Sequence, residues 1–269
     1  QNVIVIDRIL GGGSPYGDFA VAQHTPGLAF GNNEWFGTIS LKAPDQGYYF
    51  EPDQVTLTPV HRLRNCIAWD SAGGGINVAR TGANDIQNCN INVNSGDGIR
   101  VAPELSSYPG TLRNIIVTGA GRYGVNSAYS SSYIDVYGAW SQGAYNQGSC
   151  TTGCRTTNPL SDGLTPSIKY ITRIEPGSAL KGAGFGGADY GANVVNRYGA
   201  DGSYYGEANY NVLTSTSLWP WPNEDRIKKE MCTDAGVTRG FCSSPSLTRK
   251  RALSQPRWIE LKPTPQSPS

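Results

Sequence analysis

The chain has 269 residues and balances 22 Lys and Arg against 21 Asp and Glu, for a net charge of +1. Global electrostatics therefore favour neither nucleic acid nor an anionic membrane as a partner. Charged residues are only 16% of the sequence while Gly reaches 34 and Tyr 15, which suits turns and sheets and argues against a helical bundle. Unbroken apolar runs such as Val3 to Ile6 are far too short for a membrane-spanning helix, so no membrane insertion is expected.

From the N-terminus, Asn2-Val-Ile-Val-Ile-Asp7 reads as a strand. No secretory signal precedes it, and the abrupt start leads us to expect that an upstream part was removed or left out. Thr38-Ile-Ser-Leu41 and Gly47-Tyr-Tyr-Phe50 form the next pair of short strands. From Leu63 such pairs repeat. Leu63-Arg-Asn-Cys-Ile-Ala-Trp69 with Gly75-Ile-Asn-Val78 aligns with Ile86–Asn92 and Gly98–Val101 after a shift of 23. A further shift of 26 gives Leu112–Thr118 with Gly124–Ser127, and one of 19 gives Ser131–Tyr137 with Gly143–Asn146. Both halves shift together, so insertions fall between copies, where loops absorb them.

Within each strand apolar residues alternate at period two. The copies then form columns: Cys66, Cys89, Ile115, Ile134; Ala68, Ile91, Val117, Val136; and Ile76, Ile99, Val125, Ala144. Columns of this kind arise when successive copies stack in register, each strand pairing with its equivalent one coil away. Units of this length with short strands and Gly turns predict an all-β parallel β-helix, with right-handed crossovers. A leucine-rich repeat would need a Leu-x-x-Leu-x-Leu pattern, which is absent. Asn65, Asn88 and Asn114 also align, and are expected to turn inward at a bend and hydrogen-bond the neighbouring coil.

Beyond the clearest repeats (63–146), residues 147–162 read as a loop. Ser167–Ile171 and Ala192–Val195 are expected to continue the coils, with the Gly/Tyr-rich 182–206 as an irregular turn of the stack, so that coils fill 1–211. Residues 212–248 read as a C-terminal cap: an aromatic-proline strap at Trp219–Pro222, then a short helix N-capped by Asn223. The Pro/Ser-rich 249–269 is expected to be a disordered tail.

The even set of six cysteines, with no metal-like Cys/His spacing, predicts disulfides and an oxidising compartment. Cys150–Cys154 would staple its loop, a metal half-site being the weaker alternative; Cys232–Cys242 would close the cap. Cys66 and Cys89 share a column one coil apart, within disulfide reach. Two free thiols packed as small hydrophobes are the alternative.

The segments Asn88-Cys-Asn-Ile-Asn-Val93 and Ser95-Gly-Asp-Gly-Ile-Arg-Val101 resemble bacterial secreted right-handed parallel β-helix repeat proteins of the pectate-lyase-like superfamily. Asp189–Tyr198 and Leu218–Ile227 look like the C-terminal end of uncharacterised members. The resemblance runs over about 50–248 and implies secretion or a cell-surface location. It also implies polysaccharide as the partner, with lyases, hydrolases, tailspikes and adhesins all on the same fold.

The hydrolase signatures of that superfamily (Asn-Thr-Asp, Asp-Asp, Gly-His-Gly) are missing, and His24 and His61 stand in no such context. Asp70 and Asp97 are carboxylates by location, each beside a turn, where Asp commonly serves the turn itself. Elimination on a uronate would need a cation and a base. Arg100 and Tyr145 are the candidates, with Asp97, and an ordinary solvated face is the plainer reading. No cofactor is expected, because calcium would need an acidic cluster on one face and none forms. The expected glycan contacts are Trp69, Asn77, Asn92, Arg100, Asn126, Tyr137 and Tyr145, set on outward positions of successive coils. The sequence thus predicts a secreted protein engaging polysaccharide along its coils, by binding, elimination or hydrolysis. A surface or filament-forming role through self-association of the coil ends is the alternative.

Overall fold

The computed structural model describes residues 3–6, 17–23, 33–52, 61–80, 84–106, 108, 110–159, 174, 178–194, 196–199, 207–210 and 212–217. Each coil contributes three strands to three faces. Face one holds β3 (Glu34–Phe36), β6 (His61–Arg64), β9 (Asn84–Gln87) and the first halves of β12 (Thr111–Gly119) and β14 (Ser131–Gly138). Face two holds β1 (Ile4–Ile6), β4 (Ile39–Leu41), β7 (Ile67–Ser71), β10 (Asn90–Val93) and the second halves of β12 and β14. Face three holds β2 (Phe19–Gln23), β5 (Gln46–Pro52), β8 (Gly74–Val78), β11 (Ile99–Val101), β13 (Tyr123–Ser127) and β15 (Gly143–Asn146). Every pairing within these faces is parallel. The chain is therefore an all-β parallel solenoid, as the repeat predicts.

The columns hold almost throughout. Ala68, Ile91, Val117 and Val136 pair in succession, as do Ile76, Ile99 and Val125. The early coils obey the same rule: Ile4 pairs with Ile39 and Ile39 with Ile67. Inward members of the three faces fuse into one core running along the axis, from Tyr48 and Phe50 to Ile134 and Val136.

The bend between faces one and two falls at Asn65, Asn88, Asn114 and Tyr133, with φ of 56, 53, 52 and 54°. This left-handed region is tolerated by Asn, whose short polar side chain bonds locally. Tyr133 enters it at a strain on the order of 1 kcal/mol.

The aligned asparagines turn outward, not inward. Asn65 donates to Asn193 O (2.7 Å), Asn88 donates to Asp189 O (3.3 Å) and Asn114 accepts from Phe185 N (2.8 Å). They hold residues 184–193 across the outside of face two. Ala192 to Val194 is thus an irregular roof segment and not a further coil. Its Tyr190, Ala192 and Val194, with Ile174 and Leu180, pack on Ile39, Leu41, Ile67, Trp69 and Ile116. Burial of each large apolar side chain contributes roughly 1.5–3 kcal/mol, against about 1 kcal/mol net for a hydrogen bond. Apolar contact therefore holds the roof, and the asparagines set its register.

Cys66 and Cys89 are free buried thiols, not a disulfide. In-register parallel neighbours carry nearly parallel Cα–Cβ bonds, so their sulfurs stay a strand spacing of about 4.8 Å apart instead of converging. Each thiol donates to the carbonyl two residues earlier, Cys66 to Arg64 O and Cys89 to Gln87 O, both at 3.2 Å. Burial pushes both pKa values up. Cys150–Cys154 is bonded, with a Cα separation of 5.7 Å.

A second correction concerns the last coil. Face two advances by 19 residues there, but face three advances by 20, since Tyr123 pairs with Gly143 and Val125 with Tyr145. One residue of slip turns a side chain to the opposite face. Tyr145 therefore packs against the core, and Asn146 takes the outward place beside Asn126.

Residues 213–217 form β17 (Leu213–Ser217), antiparallel to β16 (Asn196–Tyr198). The expected cap helix, the Cys232–Cys242 pair, Ser167–Ile171 and the tail lie outside the described residues.

Two outcomes check this packing. A Cβ on Gly98 would sit 2.3 Å from Val117 Cγ1 and 2.5 Å from Gly124 O. Gly98→Ala should therefore cost about 2–3 kcal/mol by urea unfolding, and an unchanged midpoint would contradict the stacking. Alkylation in denaturant without reductant should label Cys66 and Cys89 and spare Cys150 and Cys154; a linked 66–89 peptide would restore the disulfide.

Candidate functional site

The predicted contact residues separate into distinct environments. Trp69 lies under the roof of face two, 2% exposed, and presents nothing to solvent. Asn92 is also buried, because it donates to Thr118 Oγ1 (3.0 Å) and accepts from Asp70 N (3.3 Å). Tyr137, in the same row, is exposed. Tyr145 is turned inward by the register slip, and burial raises its pKa.

Face three keeps the other members together. Asn77, Arg100 and Asn126 pair in register, and Asn146 continues the row. Arg100 Nη1 donates to Asn77 Oδ1 (3.1 Å), and Asn146 and Gln147 donate to Asn126 Oδ1 (3.1 and 2.7 Å). Every hydrogen-bond partner of these four side chains among the described residues lies within the row or its adjoining turns. The result is a polar row at the coil spacing of about 4.8 Å.

Asp97 is not available as a catalytic carboxylate in this arrangement. Arg122 grips it with Nε to Oδ1 at 2.9 Å and Nη2 to Oδ2 at 2.7 Å, and Asn126 Nδ2 adds a third bond at 2.8 Å. Its work is to tie one corner turn to the next. Asp70 stands on the other side of that corner. It occupies a bulge, with φ 59°, where Ala68 pairs with Ile91 but Ser71 with Val93. Asp70 accepts from Asn94 Nδ2 (2.5 Å). Arg122 is neutralised by Asp97, whereas Arg100 meets an amide and, among the described residues, no carboxylate.

Face one shows a different pattern. Arg62 pairs with Glu34 and Arg64 with Asp85 between neighbouring coils, while Arg113 lies over the Phe185 ring at 4.1 Å. His61 is buried and burial lowers its pKa to about 4, so it stays neutral and takes no part at the surface. Among the described residues no three His, Cys, Asp or Glu side chains gather as a metal site.

Sequence reasoning missed Asp135. It follows Ile67, Asn90 and Ile116 in the outward row of face two and is fully buried. Its Oδ1 accepts from Thr157 N (2.8 Å), while Oδ2 is buried with no hydrogen-bond partner. Desolvation raises its pKa to about 7, partly opposed by that hydrogen bond and by Arg155. Arg155 in turn lies over the Tyr190 ring at 5.4 Å and donates to Ala179 O (3.1 Å). The cluster anchors the roof to the terminal coil. The Arg155–Thr157 segment and the roof, which no local pattern announces, make this position interior.

Residues 58–140 match the family model described as right handed beta helix region. The matched stretch covers the strands from β6 to β14, where the columns are most regular. No curated protein and no solved structure is significantly similar to the chain. The comparisons thus agree with the fold and select no activity.

Asp135 gives a pH prediction. The unfolded chain releases this proton near the ordinary Asp value of about 3.9, while the folded chain holds it until about pH 7. Between those values the unfolded state binds fewer protons, so stability falls as pH rises and levels off above about 7. The loss should be on the order of 4 kcal/mol. His61 acts oppositely in the same window, so comparison with Asp135→Asn isolates the carboxyl. The variant should gain on wild type between pH 4.5 and 7.5 by urea unfolding; parallel pH curves would refute the burial.

Proposed function

We propose that this is a secreted protein that binds an acidic, uronate-bearing polysaccharide along the outer row of face three. The observation that carries this reading is the row Asn77, Arg100, Asn126 and Asn146, set at one rung per coil. The half-buried amides of Asn77 and Asn146 can meet hydroxyls, with the buried Asn126 tying the row together, and Arg100, which has no carboxylate partner among the described residues, can meet a carboxylate of the ligand. A long chain lying along the axis would touch several coils, so weak contacts would add through multivalency. The disulfide at Cys150–Cys154 supports an oxidising location.

Binding without bond cleavage is favoured over catalysis because Asp97 is held by Arg122 and Asn126 and Tyr145 points inward. A panel of uronate-containing and neutral polysaccharides tests this. Retention of a uronate polymer without cleavage is the expected result, weakened about tenfold by Arg100→Ala, the scale of one charge-assisted hydrogen bond. New ultraviolet absorbance from unsaturated uronate would mean a lyase, and new reducing ends without it a hydrolase. No retention, with filaments by microscopy, would favour the structural role.

A further inference from the structure

We infer that the corner between faces two and three carries a separate subsite, a ring-sized groove that takes a neutral pyranose unit against Tyr137. This deepens the polysaccharide reading, on which it rests for ligand class, but it uses different residues.

The groove follows from the composition of one row. Along face two, Asn92 pairs with Thr118 and Thr118 with Tyr137. Trp69 ends the row on the other side, under the roof. Two short polar side chains beside the larger Tyr137 leave a depression. Beside it the backbone carries Gly119 and Gly138, at φ 126 and 143°. A Cβ on Gly138 would lie 2.0 Å from Gly119 O, so no side chain can fill this edge. The groove has a volume of about 280 Å³ and is lined by Asn92, Asn94, Thr118 and Tyr137 around these glycines. That is close to the lower end of small-molecule pockets, roughly 300–1,000 Å³, and suits one or two rings better than a long chain. Past Tyr137 it opens into a wider concavity beside Trp140 and Thr156.

The chemistry of the lining selects the ligand. Tyr137 is 38% exposed although it sits in a concave wall, which leaves its ring able to pack on the C–H face of a sugar. Asn92 and Thr118 are already locked by Nδ2 to Oγ1 (3.0 Å) and by Thr118 Oγ1 to Ile91 O (3.2 Å). Both are buried, 2% and 1% exposed, so they form a closed floor beneath the ligand and leave its hydroxyls to the rim. Asn94 is exposed at the rim, where its Nδ2 donates to Asp70 Oδ1 and its own Oδ1 faces a ligand hydroxyl as an acceptor. No charged side chain lines the groove, in contrast to the Arg100 row. A uronate would be desolvated here without a partner, whereas a neutral pyranose would not.

The experiment titrates neutral di- and trisaccharides of gluco, manno and galacto configuration into wild type, Tyr137→Ala, Tyr137→Phe and Arg100→Ala. Calorimetry reads affinity, and saturation-transfer NMR reads which ligand protons approach an aromatic ring. The expected result is weak binding of at least one sugar to wild type. Tyr137→Ala should reduce it about tenfold or more, the scale of one stacked ring, while Tyr137→Phe and Arg100→Ala retain it. Saturation transfer to the sugar C–H protons in wild type decides the matter should Tyr137→Ala fail to fold. The inference is overturned if no neutral sugar binds, or if binding survives in folded Tyr137→Ala. Uronate-polymer retention, measured on the same variants, should depend on Arg100 and not on Tyr137. Loss of one behaviour with survival of the other therefore separates this groove from the face-three reading.

Discussion

In-register parallel stacking of successive coils is the constraint on which the rest of this structure depends. A strand spacing of about 4.8 Å forces each residue to sit above its equivalent. Inward positions must then agree in size, and outward ones must agree in charge or pair across the step. Face one meets this with Arg62–Glu34 and Arg64–Asp85, face three with Arg100–Asn77 and Asn146–Asn126. The close approach at Gly75, Gly98 and Gly124 is the same rule applied to backbone, since a Cβ there would strike the core column of face two. Where the step lengths of two faces differ by one residue, as in the last coil, the register rule sends Tyr145 inward and Asn146 outward.

Stacking also creates an excess of apolar surface. Face two is apolar on both sides, and its outer side needs a cover to be compatible with water. The chain supplies one by doubling back along the axis at 178–194. The disulfide loop helps to dock it: Tyr190 donates to Gly153 O, and Arg155 reaches Ala179 O. Covering one face settles which surfaces remain. Face three and its corner with face two stay open to a ligand, while Trp69 and Asp135 become interior. The buried carboxyl of Asp135, unpartnered at Oδ2, is the cost of placing a polar residue in that row.

These constraints separate the two proposed binding surfaces by chemistry. The face-three row has a cation that meets an amide and, among the described residues, no carboxylate, and it extends over several coils. The corner groove is short, uncharged and walled by one aromatic. A polymer would engage the first through repetition and the second through the fit of a single unit.

The solenoid itself is legible in the sequence because columns record nearest-neighbour pairing: Ala68, Ile91, Val117 and Val136 need no distant information to be aligned. The same locality makes Asn77, Arg100 and Asn126 readable as one outward row, and makes the Cys150–Cys154 staple readable from its spacing. The state of Cys66 and Cys89 was left open by the sequence, because a shared column puts the two Cα atoms within disulfide reach, and the free thiols show that the parallel Cα–Cβ bonds of the folded strands keep the sulfurs apart. The roof was not legible either. Asn65 and Asn193 are joined across 128 residues, and no periodicity encodes a contact of that separation. Whether an outward side chain meets water or a covering segment is a property of the folded chain alone. For that reason tertiary structure, and not pattern, decided that Trp69 is buried, that Asp135 holds its proton, and that Tyr137 stands at an open groove.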